Sequence, residues 1–230
     1  MTYVISDIHG EYDLFIKLLK KIDFSFNDEM IICGDVIDKG KKSVKLLRFI
    51  ESMPNFRCIV GNHEYDFLKY YHSILMNSPT DFAEVSKKLQ SYFPYDGELF
   101  DVNDANWLDS LPYCIIEDDF ICVHAGVSLK TDNTLVPLSE TSVETLVYDR
   151  SFKEPSVVPR CEKCIFYGHT PTSYLSDDSA IIKYARKGIT PGTVKDYYKI
   201  HLDTGAWLNG VLGCFCVDDC KDYYVSKYDL

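Results

Sequence analysis

The chain has no apolar run near the ~20 residues needed to cross a bilayer. Its opening, "MTYVISDIHG", lacks the basic start and long apolar stretch of a secretion signal. Positive charge is also scarce: 24 Lys and Arg stand against 35 Asp and Glu, a formal net charge of -11. That balance argues against a general nucleic-acid or anionic-membrane surface, both of which recruit basic patches. It leaves a phosphorylated substrate open, because bound metal ions reverse the sign locally. The nine cysteines are odd in number and lack the spacing of a disulfide scaffold, so they read as reduced thiols of a cytoplasmic protein. Repeats, low-complexity tracts and linkers are missing too, and 230 residues suffice for one well-cored domain spanning 1–230.

What is there alternates cleanly. "TYVIS", "EMIIC" and "FRCIV" read as buried strands, and each is followed by a segment of helical spacing. In "EYDLFIKLLKKI" the apolar face is Leu14, Ile16, Leu18 and Leu19; "KSVKLLRFIESM" stops at Pro54; "EYDFLKYYHSILM" is the third. This β-α-β-α-β order predicts crossovers and a parallel sheet, hence an α/β fold. Residues 64–111 read as mainly helical, including "PTDFAEVSKKLQSYF" and "DANWLDSLP", and are expected to wall a cleft. "YCIIE" and "FICVH" predict a hairpin, and 128–160 a polar loop with a short helix near "SVETLVYDR". The strand-rich remainder, with "CIFYG", "YYKIHLDTG", "VLGCFCVD" and "DYYVSKY", predicts a second sheet packed on the first.

The ends of five predicted strands carry the chemistry. They run into Asp7 and His9, into Asp35 and Asp38, into Asn62, His63 and Glu64, into His124, and into His169. Ligands of open α/β sheets gather at carboxyl ends of strands, and Asp, His and Asn suit a hard-to-borderline divalent metal. Any one such turn is ordinary, since Asp-Gly and Asn-His pairs are common in turns; five in succession demand a shared cause. Asp7 and His9, two apart on an extended chain, would face one way and clamp one ion. Asp35 would bridge it to a second ion completed by Asn62, His124 and His169. Two such ions hold a bridging hydroxide as nucleophile and neutralise phosphoryl oxygens. His63 would then protonate the leaving oxygen, with Asp38 orienting the imidazole and keeping it cationic.

"DIHG", "GDVIDKG", "GNHE", "VHAGV" and "GHTP" resemble, in order, the signature set of calcineurin-like metallophosphoesterases. Among these the chain is most similar to compact bacterial and phage phosphoprotein phosphatases and to symmetrical diadenosine tetraphosphatases, over residues 1–216. The resemblance implies a two-sheet sandwich flanked by helices and two divalent ions, manganese first, with iron or zinc as alternatives. It assigns phosphate contacts to Asn62, to Lys39 where relatives usually have arginine, and to Arg150. The expected function is hydrolysis of phosphomonoesters on Ser, Thr or Tyr of proteins. Cleavage of dinucleoside polyphosphates is the alternative, end-healing of nucleic acids a third, and a non-catalytic binding scaffold the alternative of another class. His72, His201 and Glu64 are expected to be structural or surface residues. A structural zinc on Cys161, Cys164, Cys214, Cys216 and Cys220 is disfavoured, because C-x-C does not make the second half of a paired C-x-x-C site.

Overall fold

A computed structural model describes residues 1–77, 85, 87–90, 93 and 97–229. The first sheet has the order β10-β9-β1-β2-β3, built from β1 (Thr2–Ile5), β2 (Glu29–Ile32), β3 (Phe56–Cys58), β9 (Val211–Cys216) and β10 (Lys221–Ser226). The first three are mutually parallel, as their crossovers through α1 (Tyr12–Lys21) and α2 (Ser43–Ser52) require. The second sheet has the order β4-β5-β6-β8-β7. Its members are β4 (Cys114–Ile116), β5 (Phe120–Val123), β6 (Cys164–Tyr167), β7 (Ile182–Ala185) and β8 (Tyr197–His201). The hairpin expected from "YCIIE" and "FICVH" is the antiparallel pair β4–β5.

One expectation is corrected. β9 and β10 do not join the second sheet; they return to the first, β9 antiparallel to β1 with Val4 opposite Phe215, and β10 antiparallel to β9 at the sheet edge. β7, which the sequence reading passes over, takes the edge of the second sheet instead.

The period-2 geometry of strands explains the layering. On β1, Val4 faces the second sheet while Tyr3 and Ile5 face the helices. Val4, Ile31 and Phe215 meet Cys122, Phe166 and Ile200 between the sheets, where the Phe166 and Phe215 rings lie 5.5 Å apart. Behind the first sheet, Ile5, Met30 and Ile32 pack on Leu14, Phe15, Leu18 and Leu47 of α1 and α2. Behind the second, Val123, Ile165 and Tyr167 pack on Leu146 and Val147 of α5 (Val143–Tyr148). Each such fully buried side chain contributes roughly 1.5–3 kcal/mol, so all three layers are held by apolar burial.

Within 64–111, α3 (Asn62–Asn77) and α4 (Val102–Ser110) are helical as expected. Asp101 and Asp104 form a reciprocal capping box at the start of α4, and Arg48 of α2 grips Asp104 through two bonds of 2.9 Å. The helix expected over 79–93 lies largely outside the described residues. All nine cysteines are free thiols, and none belongs to a group of ligand atoms close enough to share a metal among the described residues. No described helix is long and apolar enough to cross a membrane.

Candidate metal centre

Strands β1, β2, β3, β5 and β6 end at Ile5, Ile32, Cys58, Val123 and Tyr167. Asp7, Asp35, Asn62, His124 and His169 follow these ends by at most four residues. The loops after β1 and β2 are joined by backbone bonds from Asp7 N to Gly34 O (3.1 Å), His9 N to Asp35 O (2.9 Å) and Gly10 N to Val36 O (2.7 Å).

The local backbone differs from the extended chain expected for Asp7 and His9. Both are left-handed, with φ of 53° and 49°, as are Asp35, Asp38, Lys39 and His169. That conformation costs a non-glycine residue about 1–3 kcal/mol, and here it turns successive polar side chains into one cleft. Close approach does the rest. A Cβ on Gly61 would run into Asp35, and one on Gly168 into Asp7, so both positions accept only glycine.

Asp35 stands at the centre. Its Oδ2 lies 3.4 Å from His9 Nε2 and 3.9 Å from His63 Nε2, while its Oδ1 lies 3.5 Å from His124 Nε2. Two groups of ligand atoms share it: His9, Asp35 and His63, and Asp7, Asp35 and His124. Asp7 reaches toward both, its Oδ1 being 3.9 Å from His9 Nε2. Asn62 Oδ1 joins the second group, 3.0 Å from His124 Nε2 and 2.8 Å from His169 Nδ1.

Two imidazoles are held in a ligand-ready tautomer. His9 Nδ1 donates to Ile37 O (3.1 Å) and His124 Nδ1 to Cys33 O (2.8 Å), which leaves each Nε2 lone pair facing the cleft. Asp7 Oδ1 and His169 Nε2 are buried there with no hydrogen-bond partner. Orphaned buried acceptors are rare because each costs desolvation energy. Carboxylate, amide and imidazole groups converge here with buried atoms left unpartnered, a donor set that fits divalent cations, so the residues suit the metal pair the family resemblance implies.

Burial and neighbouring charge sort the histidines. Burial pushes His9 down to about 3, against the opposing pull of Asp7. Burial, together with the charges of His124 and Arg150, also takes His169 to about 3. Both are neutral and able to ligate. His63 goes the other way: burial would lower it, but the hydrogen bond from Nδ1 to Asp38 Oδ2 (2.8 Å) and the charge of Asp35 raise it. The same bond draws Asp38 down to about 2. Burial and the charges of Asp7 and Glu64 hold Asp35 well above the usual carboxylate range, the condition a bound cation would reverse.

The phosphate-contact candidates are placed less uniformly. Lys39 Nζ lies 2.9 Å from His9 Nε2 at the cleft mouth. Arg150 is exposed after α5, near enough that its charge acts on His169. His72 is on the surface, 3.1 Å from Asp109, and His201 is buried with its ring stacked on Tyr167 at 4.5 Å.

Glu64 does far more than favour a helix start. Fully buried, it accepts from Asp35 N (2.8 Å), Gly61 N (2.9 Å), Val36 N (2.9 Å) and Ile37 N (3.0 Å). It thus holds the loop that carries Asp35. The only signal in the sequence is an acid directly after Asn62-His63, which says nothing of residues 35–37. Ser43 supports Asp38 by accepting from its N–H at 3.0 Å, with no comparable signal. A cavity of about 750 Å³ lined by Arg160, Arg186 and Tyr198 contains none of these groups and has no part in the site.

The family model for calcineurin-like phosphoesterases matches residues 2–201. A symmetrical bis(5'-nucleosyl)-tetraphosphatase of Enterobacter sp. (strain 638) is 30% identical over 156 residues, covering 66% of this chain and 52% of that protein. The chain thus spans about half the length of the curated relatives it matches. A provisionally named diadenosine tetraphosphatase has the same fold, with a TM-score of 0.69 at 16% identity over 99% of this chain and 94% of that one. So does a protein serine/threonine phosphatase of Saccharomyces cerevisiae, with a TM-score of 0.57 at 14% identity over 100% and 80%. With its ordered motifs meeting at one metal-suited cleft, the chain belongs to the calcineurin-like phosphoesterase family.

Proposed function

We propose that residues 1–230 act as one metal-dependent phosphoesterase domain whose cleft, walled by α3 and α4, takes dinucleoside polyphosphates. The observation that carries the hydrolase reading is Asp35, whose two oxygens face separate imidazole groups amid buried acceptors. Asp7, His9, Asp35, Asn62, His124 and His169 would hold two divalent ions, manganese first among manganese, iron and zinc. When bound, such a pair supplies an acidified water and positive charge against phosphoryl oxygens.

The chain's own groups do the remaining work. Lys39, Asn62 and Arg150 orient the phosphate. His63 carries a proton on Nε2 toward the leaving oxygen, and Asp38 fixes the ring from Nδ1. A scaffold without activity would have no use for this pairing, which orients a proton donor outside the six-residue ligand set.

The motif pattern ranks phosphoproteins first, whereas similarity to symmetrical tetraphosphatases favours the anhydride substrate. Phosphoserine and phosphothreonine peptides are therefore the second reading, using the same acid and metals. Initial rates with manganese on diadenosine tetraphosphate and on a phosphothreonine peptide, each with a chelator control, separate them. A kcat/KM at least a hundredfold higher for the dinucleotide is expected. The reverse ratio would return the chain to phosphoproteins, and silence on both with metals verified would favour a binding scaffold.

A further inference from the structure

Beside Lys39 the structure opens a cavity of about 400 Å³, also lined by Tyr12, Lys41, Lys42, Trp207 and Lys227. Four lysines around one hollow are unexpected in a chain of net charge -11. Two of them are already matched by carboxylates on the same lining: Lys42 pairs with Asp13 at 2.6 Å and Lys227 with Glu11 at 2.7 Å. Lys39 reaches the metal-facing nitrogen of His9. Lys41 is exposed and has no carboxylate at ion-pair distance among the described residues. Two cations on the lining are thus without a carboxylate partner at ion-pair distance among the described residues, and one of them, Lys39, also touches the metal-suited cleft.

The lining also includes aromatic rings, Tyr12 and Trp207. Trp207 is 46% exposed, although indole is among the costlier groups to leave in water. Its turn is well tethered: Asn209 N donates to Gly205 O (2.6 Å), and Asn209 Nδ2 donates to Ser173 Oγ (3.0 Å). The backbone that carries the half-exposed indole is therefore anchored on both sides of the turn. The volume lies within the ~300–1,000 Å³ typical of small-ligand sites.

We propose that this cavity seats a nucleoside end of the substrate, with the base stacked on Trp207 and the phosphates running over Lys41 to Lys39. This deepens the dinucleoside polyphosphate reading and rests on it. Base–aromatic stacking is sequence-tolerant and strong enough that losing the ring weakens binding by roughly tenfold or more.

Two measurements test it. In the first, intrinsic fluorescence is followed as adenosine diphosphate, then inorganic pyrophosphate, is titrated into the unmodified chain and into Trp207→Phe. Saturable quenching by adenosine diphosphate, absent in Trp207→Phe and not produced by pyrophosphate, is expected. No quenching, or equal quenching by pyrophosphate, would overturn the nucleoside site, and neither result depends on turnover. In the second, Trp207→Ala should lower the ratio of kcat/KM for diadenosine tetraphosphate over p-nitrophenyl phosphate at least tenfold, through KM. An unchanged ratio would overturn the proposal. A chain that quenches as expected yet fails to cleave the dinucleotide would instead refute the assigned activity.

Discussion

His63 Nδ1 and Asp38 Oδ2 lie 2.8 Å apart, while His63 Nε2 points past that contact toward Asp35, 3.9 Å away. One ring is thus gripped from behind by a half-exposed carboxylate and directed at the metal-suited cleft. Replacing it isolates its role. His63→Asn should leave metal content intact and lower kcat by ~10²–10⁴ for an alkyl leaving group, the usual scale of general acid catalysis. An aryl phosphate, whose leaving oxygen needs little help, should lose far less. Equal losses across leaving groups would assign His63 to another task.

The same contact predicts a pH effect of definite sign. The folded state raises His63 above its ordinary value and lowers Asp38 to about 2. The imidazolium therefore persists to higher pH than a free histidine would, and it is lost as pH rises through the raised value. In Asp38→Asn that support is gone, so the alkaline limb of kcat for poor leaving groups should move to lower pH. The limb staying in place would show that His63 does not set it.

Glu64 offers a prediction about stability. Its carboxylate accepts four backbone N–H groups, two on each oxygen. Glu64→Gln turns an amide N–H₂ toward two of these donors. Leaving buried donors unsatisfied costs about 1–3 kcal/mol each, so thermal unfolding should show a loss of about 2–6 kcal/mol. Metal affinity should fall with it, since the loop bearing Asp35 loosens. A variant with parental stability would mean that the loop is held by other contacts.

Lys39 separates charge from geometry. Arginine keeps the charge and adds a planar, two-pronged grip on phosphate oxygens. Lys39→Arg should retain turnover with an equal or lower KM for diadenosine tetraphosphate. A collapse in kcat would mean that the compact ammonium beside His9 is itself required.

Much of this site was legible in the sequence, for a physical reason. Strand ends in an α/β sheet are one-dimensional landmarks, so Asp7, Asp35, Asn62, His124 and His169 could be picked out without coordinates. The layers were legible as well, because periodicities of 2 and 3.6 are local. What escaped was long-range or conformational. The left-handed backbone at Asp7 and His9 does not show in residue types that also suit extended chain. Glu64 binds residues 27 to 29 positions away, a pairing no spacing rule anticipates. β9 and β10 have ordinary strand patterns, and nothing local says which sheet receives them. Lys41 and Trp207 share a cavity across 166 positions, which only folding brings together.

The most direct test of the account is equilibrium manganese binding to the purified chain and to Asp35→Asn, with hydrolysis of diadenosine tetraphosphate measured on the same samples. The account predicts two ions per chain in the parent, fewer in the variant, and turnover abolished with the lost occupancy. Full occupancy and near-parental turnover in Asp35→Asn would contradict it.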